Sequence, residues 1–325
     1  MKLKNKRFLV IGGAGFIGSH TVEYLIKNDV KDVIVFDNFF RGKKENLMSS
    51  LNSKKVKVLE HGGDILQNDI LENSLIGIDG VFHFAALWLL QCHEYPESAF
   101  KTNVEGTFNV INSCRKKKIK KIVFSSSASV YGDALEEPMP ETHPFNSKNF
   151  YGSTKIAGEA MLNAFHYRYN QNYVGLRYMN VYGPRQDYSG AYVAVIMKML
   201  DSIDKNEYVT IFGSGKESFD FVSVKDCARA NILAMESEIK QGFYNIGTGK
   251  KTSLIKLANT LYNILGKKKK IRFKKNTNST LVKNRIGCVK KAAHDLKYVS
   301  KFDLEKGLKE LILWRENHKK KNEEK

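Results

Sequence analysis

The stretch "RFLVIGGAGFIGSHTVEYLIKNDVKDVIVFDN", residues 7 to 38, decides the fold. "RFLVI" (7 to 11) is a short apolar, β-rich run. After a glycine turn, "IGSHTVEYLIKN" has helical periodicity and "DVIVFD" (32 to 37) is again a strand. This is a βαβ unit. Gly12, Gly15 and Gly18 stand three apart in its first turn, and each has a physical use: a tight turn, close approach of a phosphate to the backbone, and close packing of helix on strand. The helix N-terminus then faces the phosphates. Asp37 ends the second strand, where a carboxylate accepts from both ribose hydroxyls and repels a 2′-phosphate. The pattern predicts a dinucleotide, NAD in preference to NADP, held by Gly12, Gly15, Phe16, Ile17 and Gly18 and by Asp37 with Asn38. The competing reading is a structural glycine turn with a strand-end cap.

Outward from this unit, "GVFHFAA" (80 to 86), "KKIVFSSS" (120 to 127) and "YVGLRY" (173 to 178) are further apolar runs, separated by segments long enough for crossover helices. The fold class is therefore α/β, a doubly wound parallel sheet of Rossmann type. Beyond about residue 180 the alternation weakens, turns such as "IFGSGKES" break it, and 252 to 265 and 305 to 318 read as amphipathic helices. The expected division is a dinucleotide-binding domain over 1–180 and a smaller substrate-binding lobe over 181–325, some segments of which return to the first. The lysine-rich tail is expected to be disordered.

The chain has 325 residues, 42% of them hydrophobic, enough for a sizeable core. No stretch approaches the roughly 20 apolar residues of a membrane span, and the basic N-terminus runs at once into glycines instead of a signal-peptide pattern. A cytoplasmic protein with no membrane association is expected. Cys92, Cys114, Cys227 and Cys288 have no paired spacing, so neither a metal site nor a disulfide framework is expected. The formal charge of +19 raises nucleic-acid binding as a reading. Its lysine runs are dispersed and lack interleaved stacking aromatics, so they read as solvated faces and no nucleic-acid partner is expected.

"YGSTK" (151 to 155) sets Tyr151 and Lys155 on one helical face. Alone, this is as consistent with a lysine lying over a half-buried ring as with chemistry. However, "GGAGFIG", "FHFAA", "NVEGTFNV", "FSSSASVYG", "YGSTKIAGE" and "LRYMNVYGPRQ" follow in order and spacing, and in this the sequence resembles the extended short-chain dehydrogenase/reductase superfamily, in its nucleotide-sugar epimerase/dehydratase branch. The resemblance implies that Tyr151 is the general base and acid, that Lys155 with the nicotinamide lowers its pKa, and that Ser127 bonds the reacting hydroxyl, with Ser126 as a substitute. It also implies that Asp64 and Ile65 contact the adenine, Phe84, Ala85 and Ala86 form the pyrophosphate-side loop, and Asn103 supports the site. Tyr178 and Met179 would lie beside the nicotinamide, and Gln91 and Asn180 would contact substrate. Two helices, over 104 to 117 and 154 to 169, would form a homodimer.

Members that eliminate water resemble one another in an Asp-Glu pair directly after the catalytic hydroxyl residue, where this chain has Ala128 and Ser129. The resemblance therefore implies oxidation at C4 of a nucleotide sugar and return of the hydride to the other face. That is a 4-epimerase, on a UDP-hexose or UDP-N-acetylhexosamine. A dehydratase, a net dehydrogenase/reductase and a non-catalytic NAD-binding regulator stay open as alternatives. Phe219 stands where the family usually has a pyrophosphate-gripping arginine, and Arg285 is the nearby residue that would compensate. The loop "LWLLQCHEYP" (87 to 96) is unusually apolar, and simple packing is one reading of Trp88.

Overall fold

The strands read from the sequence form β1 (Arg7–Ile11), β2 (Asp32–Phe36), β3 (Val56–Val58), β4 (Gly80–His83), β5 (Lys121–Ser127) and β6 (Tyr173–Tyr178). The structure, a computed structural model, describes residues 1–59, 62–188, 194–275 and 282–323, the last three by backbone alone. After β6 come β7 (Asn180–Tyr182), β8 (Val209–Phe212), β9 (Ser218–Phe219), β10 (Phe221–Ser223) and β11 (Phe243–Ile246), then β12 (Thr252–Ser253), β13 (Ile271–Lys274) and β14 (Asn284–Arg285).

The main sheet has seven strands in the order β11-β6-β5-β4-β1-β2-β3, every pair parallel. Alternation along β1 shows why it is covered on both faces. Phe8 and Val10 pack with Val22 and Leu25 of the helix Phe16–Lys27 and with Ala230 and Met235 of the helix Val224–Glu236. Leu9 and Ile11 pack on the other face with Val110, Ile111 and Leu162. All four strand residues are fully buried, as period-2 side chains in a sheet between two helix layers must be. Strand order reverses between β1 and β4, and ligands bind outside the strand carboxyl ends at such a switch point.

The segment after residue 180 contributes to both regions. β11 returns to pair with β6, Phe243 opposite Gly175, and so completes the main sheet. A separate apolar cluster joins Ile196, Leu200, Val209, Ile211, Leu257, Leu261, Leu308 and Leu311. Around it lie the short sheets β13-β8 and β12-β9-β14. The last helix, Leu304–Glu323, runs through most of the lysine-rich tail expected to be disordered. Arg315 anchors it by ion pairs with Asp201 and Asp204. No helix among the described residues is long and apolar enough to cross a membrane.

Candidate active site

A cleft of about 1110 Å³ opens at the carboxyl ends of β1, β4, β5 and β6 and extends between the main sheet and the second cluster. The glycine turn forms one end. Gly12 has φ +76°, and a Cβ there would lie 2.7 Å from the Ala85 nitrogen, so only glycine fits. A Cβ at Gly18 would collide with the Gly12 carbonyl oxygen. At Gly15, by contrast, a Cβ would meet only that same oxygen, at 3.2 Å, and otherwise fill the cleft. Gly15 is also the N-cap of the helix Phe16–Lys27, whose first turn has no acidic residue and no side-chain cap. The free first-turn N–H groups therefore face a space kept open by a missing side chain, which fits an anion such as a dinucleotide pyrophosphate.

Asp37 braces the turn: one oxygen accepts from the Ala14 N–H at 2.8 Å, the other from the Phe39 N–H at 2.8 Å. Two N–H contacts leave lone pairs on a carboxylate for ribose hydroxyls. Burial nonetheless pushes its pKa upward.

The helix Phe150–Tyr169 begins where the Asn149 side chain accepts from the Gly152 N–H at 2.8 Å and ends at Asn170 in the left-handed region. Its first two turns bring Tyr151 and Lys155 to the cleft beside Ser127, at the end of β5. The Lys155 Nζ donates to the Ser125 carbonyl at 2.8 Å and lies 5.6 Å from the centre of the Tyr151 ring. Burial draws Lys155 down to about 8, against the upward pull of Cys92 and Glu159.

The protein's own groups do not by themselves lower the Tyr151 pKa. Burial pushes the phenol up to about 12, and the downward pulls come from the Ser127 hydrogen bond and the Arg285 charge. Among the described residues, the Lys155 ammonium donates to the Ser125 backbone carbonyl and not to the phenol.

The choice between the two serines follows from strand alternation. Ser126 donates at 2.5 Å to Glu159, one turn beyond Lys155, and is 1% exposed. Glu159 in turn holds Arg177 of β6 by contacts of 2.9 and 2.6 Å, and Arg177 donates to the Tyr131 hydroxyl at 2.8 Å. Ser126 is thus committed to a buried network. Ser127, half-buried, accepts from the Ser129 N–H and keeps its hydroxyl at the cleft.

Gly12, Gly15, Phe16, Ile17, Gly18, Phe84, Ala86, Tyr178, Met179 and Asn180 also border the cleft. Several expected contact residues do not. Ala85 packs behind the glycine turn, Ile65 is buried in the core, and Asp64 accepts from the Leu66 N–H. The Asn38 side chain caps the Phe40 N–H, and Gln91 is buried on the helix Leu89–Glu94. Asn103 supports the site from below, bonding Leu87, Cys92 and Thr154. Sequence reasoning missed Cys92 as a neighbour of the reacting pair. Burial pushes its thiol up to about 11, which leaves it neutral there.

Comparison with known proteins follows this geometry. Residues 8–247 match the family model described as NAD dependent epimerase/dehydratase family. A relative from Methanocaldococcus jannaschii, which carries a provisional UDP-glucose 4-epimerase name, is 37% identical over 313 residues, covering 95% of this chain and 98% of its own. Among solved structures, the chain is similar to a UDP-N-acetylglucosamine 4-epimerase from Methanobrevibacter ruminantium in complex with UDP-N-acetylmuramic acid. That similarity has 33% identity, a TM-score of 0.91, and coverage of 97% of this chain and 99% of the other. It is also similar to the UDP-glucose 4-epimerase of Thermotoga maritima with UDP-glucose: 35% identity, TM-score 0.88, coverage 96% and 99%.

Proposed function

Because the chain belongs to the NAD dependent epimerase/dehydratase family, we propose that it interconverts C4 epimers of a nucleotide sugar, a UDP-hexose or UDP-N-acetylhexosamine. The observation that carries this reading is the chemistry of the cleft wall. Tyr151, Lys155 and Ser127 meet beside the glycine turn, and Ala128 and Ser129 follow Ser127. Among the described residues, the only carboxylates bordering the cleft are Asp187 and Glu217. Asp187 pairs with Arg41 at 3.4 Å and Glu217 accepts from the Ser214 N–H at 2.9 Å. A dehydration needs a second acid and base beside the sugar, and no carboxylate occupies that place.

Tyr151 takes the proton of the C4 hydroxyl and returns it to the other epimer. Ser127 bonds the same oxygen and orients it. NAD, held by the Gly12–Gly18 turn and Asp37, would supply a hydride acceptor that also gives the hydride back. Lys155 and the positive ring of that cofactor would together offset the phenol's high pKa. Arg285, half-buried at the cleft, serves the ligand's phosphate charge in place of an arginine at 219.

The same reading divides the chain near residue 180 into a cofactor-binding part and a substrate-binding lobe, with β11 returning to the first. It places the enzyme in the cytoplasm as a homodimer through the helices Gly106–Lys116 and Phe150–Tyr169. Phe108, Tyr167 and Tyr169, exposed on those helices, would be covered.

Proton NMR of the protein with UDP-, GDP- and dTDP-sugars, without added reductant, tests the reaction. The expected result is interconversion of C4 epimers with no NADH accumulating. Loss of the C6 hydroxymethyl signals, or steady NADH release, would refute it.

A further inference from the structure

Lys283 and Arg285 bring positive charge to the far half of the cleft, where the bordering carboxylate Glu217 is held by the Ser214 N–H. Arg285 on β14 stands in register with Phe219 on β9. Lys283 lies two positions before Arg285, in the bend that leads into β14. Both border the cleft, as does Phe219. The backbone of Lys283 is fixed: its N–H donates to Asp133 at 3.0 Å and its carbonyl accepts from the Ser218 N–H at 2.8 Å. Its side chain is exposed and forms no ion pair among the described residues. Among the described residues, the buried Arg285 Nε has no hydrogen-bond partner, and an Nη reaches only the Gly132 carbonyl, at 3.5 Å. Asp133, whose charge acts on Arg285, already accepts the N–H groups of both Lys283 and Asn284.

A guanidinium with a buried, unsatisfied N–H and a lysine aimed into the same cleft together call for an anion with more than one charged centre. We propose that Lys283 is a phosphoryl-binding residue that works with Arg285 to hold a diphosphate, the two cations sharing its two phosphoryl groups. This rests on the nucleotide-sugar reading above. Phe219, opposite Arg285 on the neighbouring strand, contributes an apolar wall and no charge.

The test is calorimetric titration of the NAD-loaded protein with UDP and with uridine, for the parent and for Lys283→Met, Lys283→Arg and Lys198→Met. Lys198, exposed on the opposite wall, controls for the general field of the cleft. Loss of one charge-assisted contact is expected to weaken UDP binding about tenfold in Lys283→Met and leave uridine unchanged. Lys283→Arg should stay within about threefold of the parent and Lys198→Met within about twofold. UDP affinity unchanged in Lys283→Met, equal losses for uridine, or an equal loss in Lys198→Met would overturn the assignment of the lysine while the nucleotide reading stands. A parent protein that binds neither UDP nor uridine would overturn both.

Discussion

Removal of the Glu159 carboxylate should be among the most damaging single changes to this protein, and the damage should be largely reversible by a second change. Glu159 and Arg177 have side chains only 2% and 4% exposed and are joined by two contacts, while Ser126 donates to the same carboxylate. Glu159→Leu leaves a buried guanidinium without its counter-charge, at a cost of about 3–5 kcal/mol. The stranded Ser126 hydroxyl adds about 1 kcal/mol or more. Arg177→Met strands the carboxylate instead and should cost a similar amount. In Glu159→Leu/Arg177→Met neither charge remains, so the loss should fall short of the summed single losses by at least about 2 kcal/mol. Urea unfolding at fixed protein concentration, followed through the fluorescence of Trp88 and Trp314, measures all three. With a slope of roughly 1–3 kcal/mol per molar urea, or more for a chain of this size, the single variants should shift the midpoint by about 1 M or more. Single losses under about 1 kcal/mol, or losses that add within about 0.5 kcal/mol, would refute the reasoning.

Tyr151→Phe removes the proton carrier and almost no volume, so turnover should fall by about 10³-fold with NAD still bound. Turnover within a few-fold of the parent would contradict its role. Because burial holds Lys155 near 8, raising the pH through that value removes the positive charge that supports a deprotonated Tyr151. The expected kcat therefore declines above about pH 8, and a flat profile to pH 10 in the NAD-loaded enzyme would count against it. Asp37→Ala should weaken NAD binding and narrow the preference over NADP, measured by titration of each dinucleotide; an unchanged preference would mean that the carboxylate does not read the ribose.

What was legible in the sequence was local. The spacing of Gly12, Gly15 and Gly18 encodes a turn whose geometry is set within a few residues, and Tyr151 and Lys155 share a face by helical period alone. Strand alternation could have separated Ser126 from Ser127, but only once the buried face of β5 was known, and that depends on Glu159 and Arg177 from two other elements. Arg285 is 134 positions from Tyr151 (285 − 151) and reaches its surroundings through a two-residue strand with no periodic signature. The adenine-side residues Asp64 and Ile65 were expected at the cleft from motif position. In the structure the Asp64 carboxylate accepts from the Leu66 N–H and the Ile65 side chain lies in the core.

The return of β11 to the main sheet has a consequence for synthesis of the chain. β6 gains its outer partner only when residue 243 has been made, 65 positions after Tyr178 (243 − 178). At roughly 5–20 residues per second, the ribosome supplies that partner about 3–13 s later. During that interval the nascent sheet presents an open row of backbone donors and acceptors to any neighbouring chain. A transcript cut short between these strands would therefore yield a self-associating fragment, and chaperone demand should be concentrated in this window of translation.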